Sequence, residues 1–177
     1  MRVAGGTTAF GFLRGVNPNL LLETIFVLET VADSRWHVDQ FLAPTPVRIV
    51  VDLRGNDLTD AYKAAGLAED FEDGVLVRFL ERPGFNVSFV KKMIESATAR
   101  AEEHSRALIT AAQTRATTAL AADLQRLVDL QKINDHIRPA EIVLAQEQLA
   151  HTTTAITAAR LRLDSLRLIV EGPNQGG

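Results

Sequence analysis

The chain has 177 residues, 46% of them hydrophobic and 23% charged, with a formal net charge of -3. This composition suits a soluble globular domain with an ample core, and it excludes a bulk electrostatic pull toward nucleic acid. The absence of cysteine excludes disulfides, thiolate zinc sites and cysteine nucleophiles, and accords with a reducing cytoplasm.

The first ten residues, MRVAGGTTAF, lack the roughly 7–15-residue apolar stretch of a signal peptide. No run approaches the roughly 18 apolar residues of a membrane span. A soluble, cytoplasmic protein without membrane contact is therefore expected. Gly5, Gly6 and Gly11 lie near Thr7 and Thr8, but no Gly-Lys-Ser/Thr follows to hold phosphate and magnesium. This segment reads as a flexible N-terminal loop.

Leu20–Val31 is an apolar run between two turn signals, Asn17-Pro18-Asn19 and Ala32-Asp33-Ser34. Trp36–Leu42 follows. Then Pro44 and Pro46, which cannot donate to a ladder, precede Val47–Leu53. The stretch 20–53 reads as three strands of an antiparallel meander, closed by the turn Arg54-Gly55-Asn56-Asp57. Residues 57–73 read as a short helix with an acidic end, Glu69–Asp73. Val75–Glu81 reads as a further strand or a short helix, and Arg82-Pro83-Gly84 ends this β-rich part, 1–85.

From Asn86 or Ser88 the composition turns to helix formers. Apolar residues recur at Val90, Ile94, Ala97, Ala101, Leu108, Ala112, Ala116, Leu120, Leu124 and Leu127, mostly three and four apart. No Gly or Pro interrupts residues 85–138. A helix of about 45 residues rises nearly 70 Å and needs a partner along its length. Asn134–Arg138 breaks it, and Pro139 suits the first turn of the next helix, with Glu141 near its positive end. Ile142, Ala145, Leu149, Thr152, Ile156, Ala159, Leu163 and Leu166 then keep alternating spacings of three and four, a heptad pattern. Two such helices joined by a short loop make an antiparallel hairpin. Ser165–Glu171 turns toward alternation and reads either as a strand returning to the sheet or, since Leu166 keeps the heptad, as a continuation of the helix, so 86–171 is a hairpin with a possible return strand. Residues 172–177 are expected to be a disordered tail. The fold is α+β: a small antiparallel sheet with a long, coiled-coil-like antiparallel helical hairpin.

Chemistry is hard to find. His37, His104, His136 and His151 form no i, i+4 pair. His104 follows Glu102 and Glu103, but adjacent residues on a helix do not face each other. His151 could approach the facing helix near the apolar seam. Ser88, Ser96, Ser105 and Ser165 lie in no nucleophile elbow. Asp52 and Asp57 flank a turn and read as caps for backbone amides. Trp36 and Tyr62 are too few for base stacking. The acidic run Glu69–Asp73 reads as solvated. Lys91, Lys92, Arg100, Arg106, Arg115 and Arg126 are interleaved with Glu95, Glu102 and Glu103, so ion pairing between turns is the simpler account. No catalytic, cofactor-binding or metal-ligating residue is assigned.

Phe41–Leu58 (FLAPTPVRIVVDLRGNDL), Ser105–Ala112 (SRALITAA) and Arg162–Val170 (RLDSLRLIV) resemble, in order and spacing, the C-terminal region of the RapA (HepA) family. Thr45-Pro46-Val47-Arg48, the Gly55-Asn56-Asp57-Leu58 turn and Leu166–Val170 are the most specific parts of a likeness that runs from about Leu20 to Val170. Members of that family are bacterial RNA polymerase-associated, SWI/SNF-type ATPases that recycle polymerase. The resemblance implies a C-terminal segment without catalytic residues, belonging to a longer protein whose two upstream helicase lobes hold ATP and magnesium. It implies core RNA polymerase and the parent's ATPase lobes as partners, and nucleic acid contacted through the parent. Met1 is then expected to be an artificial start. The alternative from residues alone is a free-standing chaperone or adaptor, weakened by a hairpin tip, Asn134–Pro139, that is mostly polar.

Overall fold

A computed structural model of the chain describes residues 7–16, 18–63, 71–74, 86–134 and 136–173. Among these are five strands: β1 (Thr7–Arg14), β2 (Asn19–Glu29), β3 (Thr45–Asp52), β4 (Phe71–Asp73) and β5 (Arg160–Gly172). Two α-helices stand between β4 and β5: α1 (Val87–Gln131) and α2 (Pro139–Thr157). The strands form one sheet in the order β3-β2-β5-β1-β4. The class is α+β, as expected. The sheet is mixed and not antiparallel as expected, because β1 pairs antiparallel with β4 but parallel with β5. A parallel pair needs a long crossover connection, and everything from Gly15 to Ala159 supplies it.

The chain divides into two compact units. The first comprises residues 1–27, 46–104 and 162–177, and so holds most of the sheet. Side chains alternate between the faces of a strand. Leu13, Leu21, Val50 and Ile169 form a core cluster on one face, with Leu58 and Tyr62 packed over it. Phe10, Leu22, Phe26, Ile49, Val51 and Leu168 alternate with these and are also buried. Met93, Ala97 and Ala101, four apart on α1, are buried in the same unit.

The turn after β3 is fixed by its own side chains. Asp52 accepts hydrogen bonds from the amides of Arg54 and Asn56 and from the Asn56 side chain. Gly55 has φ 79°, and a Cβ there would stand 2.7 Å from Ser96 Oγ on α1. That combines a left-handed conformation with a close approach. Gly55→Ala should therefore cost about 1–2 kcal/mol, read as a lower urea midpoint with an unchanged slope.

The second unit comprises residues 28–45 and 105–161. Its frame is the helical hairpin. Gln113 Nε2 donates to Thr157 Oγ1 at 2.7 Å, and Gln131 Nε2 to the Ile137 carbonyl at 3.4 Å, which fixes the antiparallel register. Asn86 caps α1 by accepting from the Ser88 amide. Pro139 opens α2, and the Glu141 carboxylate accepts from the Arg138 amide.

Several expectations change. Thr7–Arg14 is a strand within the sheet, not a flexible loop. Trp36–Leu42 is not the middle strand of a meander. It forms two 3-10 turns, Ser34–Trp36 and Val38–Gln40, joined at His37 with φ 47°. Asp33 accepts from the Arg35 amide and starts the first turn. In the stretch 57–73, Leu58 accepts from the amides of Ala61 and Tyr62, a single turn, and Phe71–Asp73 is the strand β4. Residues 64–70, 75–85 and 174–177 lie outside the described residues. They include the rest of that predicted helix, Glu69 and Asp70 of the acidic run, the predicted Val75–Glu81 element and most of the predicted tail. The heptad of α2 ends with the helix at Thr157. Leu163 and Leu166 belong to β5, a return strand longer than Ser165–Glu171.

Candidate interaction surface

The sheet unit carries a charged network on one face. Glu23, on β2, is buried. Arg48 on β3 donates to it from Nε at 2.6 Å, and Arg167 Nε on β5 lies 3.4 Å away. The three strands are neighbours in the sheet, and odd and even spacing places all three side chains on one face. Arg48 Nη2 is buried without a hydrogen-bond partner. A small cavity of about 100 Å³ opens beside Glu23, with Thr7, Ser165 and Arg167 among its walls.

Further along this face, the Tyr62 hydroxyl donates to Glu171 Oε2 at 2.6 Å. Burial, then the hydrogen bond to Glu171 and its negative charge, push the Tyr62 phenol up to about 12 from an ordinary value near 10. A raised value means the folded state favours the neutral phenol. Its contribution to stability is whole below about pH 10 and disappears as pH rises through about 12. Tyr62 is the single tyrosine, so tyrosinate absorbance should titrate late in the folded chain. Tyr62→Phe should flatten the loss of stability over that interval.

The polar residues weighed for chemistry in the sequence take structural roles. Asp57 accepts from the amide and hydroxyl of Thr59, and His104 Nε2 lies 3.9 Å from its carboxylate. Burial acts to raise the Asp57 carboxyl, but the Thr59 donors and the nearby His104 and Arg100 hold it below its ordinary value. Both turn aspartates thus serve as caps. Arg100 pairs with Glu103 and Arg126 with Asp123, each across three residues. Arg115 does something else: its guanidinium donates to the Phe41 carbonyl at 2.8 Å. No group of three or more metal-ligating side chains is assembled among the described residues. No described helix is long and apolar enough to cross a membrane.

His151 does not enter the helix seam. It stacks on Trp36, ring centroids 4.7 Å apart and planes 16° from parallel. Arg35 lies over the same indole at 4.3 Å, a cation–π contact. Thr152 Oγ1 donates to the Trp36 carbonyl at 3.5 Å. Trp36, Val38 and Leu42 are buried, so residues 33–44 form a strap laid across the inner part of the hairpin. A shallow cleft of about 510 Å³ follows the strap, lined by Asp33, Arg35, His37, Asp39 and Leu42 among others.

Beyond the strap the hairpin is bare. Ala112, Ala116, Leu120, Thr152, Ala155 and Ile156 are buried, but no described residue from 121 to 150 is. Ile133 is 84% exposed, Leu144 57% and Val143 50%. The loop itself is polar, as read from Asn134–Pro139, yet the helix ends beside it are apolar. Sequence reading missed this because Leu130, Ile133, Val143 and Leu144 fall outside the heptad positions.

The geometry defines an α+β protein built from a mixed sheet and a long helical hairpin. Comparison with known sequences names the family. A family profile described as "RNA polymerase recycling family C-terminal" matches residues 2–171, and the chain belongs to this family. It is 35% identical over 151 residues to the RNA polymerase-associated protein RapA of Actinobacillus pleuropneumoniae serotype 3, covering 85% of this chain and 16% of that protein. It is 35% identical over 159 residues to the RapA protein of Photobacterium profundum, covering 88% of this chain and 16% of that protein. With the RapA protein of Vibrio parahaemolyticus the identity is 31% over 178 residues, 96% of this chain and 18% of the relative. The chain thus spans only 16–18% of the length of these relatives.

Proposed function

We propose that the chain is a non-catalytic, C-terminal interaction and regulatory domain of a RapA-like transcription ATPase, and that it helps bind and recycle RNA polymerase. The observation that carries this reading is the match to the recycling family's C-terminal profile over residues 2–171. A hairpin whose outer half has no fully buried described residue supports it, because such an element presents surface to a partner. ATP hydrolysis with magnesium, and contact with nucleic acid, belong in this reading to the parent's helicase lobes. The deciding experiment is binding of the purified chain to immobilised core RNA polymerase at two salt concentrations. Binding that survives high salt fits an apolar docking contact, and steep loss with salt a charge-dominated one. No binding at either concentration removes the polymerase-docking role.

One observation favours a second reading. The exposed apolar helix ends beside the loop are what a free-standing chaperone or adaptor would use to grip a client. Suppression of aggregation of an unfolded test protein at stoichiometric ratio is the result that reading requires.

A further inference from the structure

We infer that the outer half of the hairpin, on the side bearing Leu130, Ile133 and Leu144, is a docking surface for a polymerase protein segment presenting an apolar side chain beside a basic one. The inference rests on the proposed polymerase-binding function and says which surface performs it.

The argument begins at the strap. It shows what this groove accepts: an irregular polypeptide segment whose Trp36 fills the groove and whose carbonyls receive hydrogen bonds from both helices. Thr152 on α2 donates to the Trp36 carbonyl, and Arg115 on α1 donates to the Phe41 carbonyl. Residues three and four apart share a helix face. From Arg115 the same face of α1 runs through Ala119, Ala122, Arg126 and Leu130, and Ile133 stands in the turn just past the helix end. From His151, which meets the strap at Trp36, the same face of α2 runs back through Glu147, Leu144 and Ala140. The register that pairs Gln113 with Thr157 and Gln131 with Ile137 brings the two runs side by side. The groove therefore continues past the strap to the hairpin end, where its apolar side chains stand in solvent.

Charge selects the occupant. Asp123 is paired with Arg126, Asp129 with Lys132, and Glu141 caps the Arg138 amide. Glu147 makes no ion pair with any described residue, and it sits one turn from Leu144. A partner side chain seated on Leu144 lies one helical turn from this carboxylate, so a neighbouring lysine or arginine on the partner completes the contact. The pattern is an apolar anchor with a charged rim.

The test uses the intact chain and core RNA polymerase, with affinities measured by biolayer interferometry. The double variant Ile133→Asp, Leu144→Asp should bind at least about tenfold more weakly. Glu147→Lys should bind several-fold more weakly and with a shallower salt dependence. All three side chains are exposed, so helical content and melting temperature should match the parent chain, which separates lost docking from lost folding. If the unaltered chain binds and the double variant binds equally well, the surface is wrong while the polymerase-binding function stands. If the unaltered chain does not bind, the function fails and this inference fails with it. If light scattering shows self-association that the double variant abolishes, while polymerase affinity stays the same, the occupant is a second copy and the inference is overturned.

Discussion

Glu23→Gln should destabilise the sheet unit by about 3 kcal/mol. The glutamate is a buried anion on β2, reached by Arg48 Nε at 2.6 Å. An ion pair of this kind adds little over a well-packed apolar pair, but removing one partner strands the other charge away from water. Here the stranded group already has one buried nitrogen, Nη2, with nothing to donate to. The glutamine amide makes matters worse, since its own donors then face the two guanidinium groups. Urea unfolding followed by circular dichroism reads the loss. A companion variant, Glu23→Leu with Arg48→Met, removes both charges and should recover most of it. A loss below about 0.5 kcal/mol in Glu23→Gln would show that water still screens the pair.

Trp36→Ala should cost about 3–4 kcal/mol, the usual penalty for deleting a large buried aromatic. Trp36 is 5% exposed, its ring stacked with His151 and in contact with the Arg35 guanidinium. Nothing else in the strap has comparable area. The effect should be local to the second unit. Amide exchange at Phe41 and Leu42, whose N–H groups donate to the Val38 carbonyl, should accelerate sharply. Exchange at Leu58, whose amide donates to the Val50 carbonyl, should hardly change. Equal acceleration at both places would mean that the units unfold as one.

Helix content was easy to read because its signal is local. A long run without Gly or Pro, a break at Asn134–Arg138 and Pro139 at the next start require only neighbours in sequence, and α1 and α2 begin where the pattern puts them. The stripe was less exact: Met93 and Ser105 are buried where Ile94 and Leu108 were expected, and Leu108 is exposed. Strand β1 was missed because Gly11 weakens its pattern and its partner, β5, lies more than 150 residues away in the register Thr7↔Ser165. Trp36 and Val38 alternate like strand residues, but an Asp33 cap and the left-handed His37 turn that alternation into 3-10 structure. The ion network at Glu23 was invisible for the same reason as β1. Glu23, Arg48 and Arg167 meet only when strands far apart in sequence are laid side by side. The exposed apolar residues at the hairpin end lie off the heptad, so the helical repeat does not mark them.

The position of β5 bears on how the chain is made. It lies between β2 and β1, yet it is the last of these five strands to leave the ribosome. Until it arrives, β1 and β2 have no common neighbour, and the sheet cannot be completed. The hairpin needs only local contacts, while the β1–β5 ladder must close a loop of more than 150 residues. Loop-closure entropy places such pairings late and makes them slow. During synthesis the helices can thus form and pair while strand edges still wait unpaired, and unpaired edges invite aggregation. A nascent chain arrested before Arg160 would carry a formed hairpin and an open sheet.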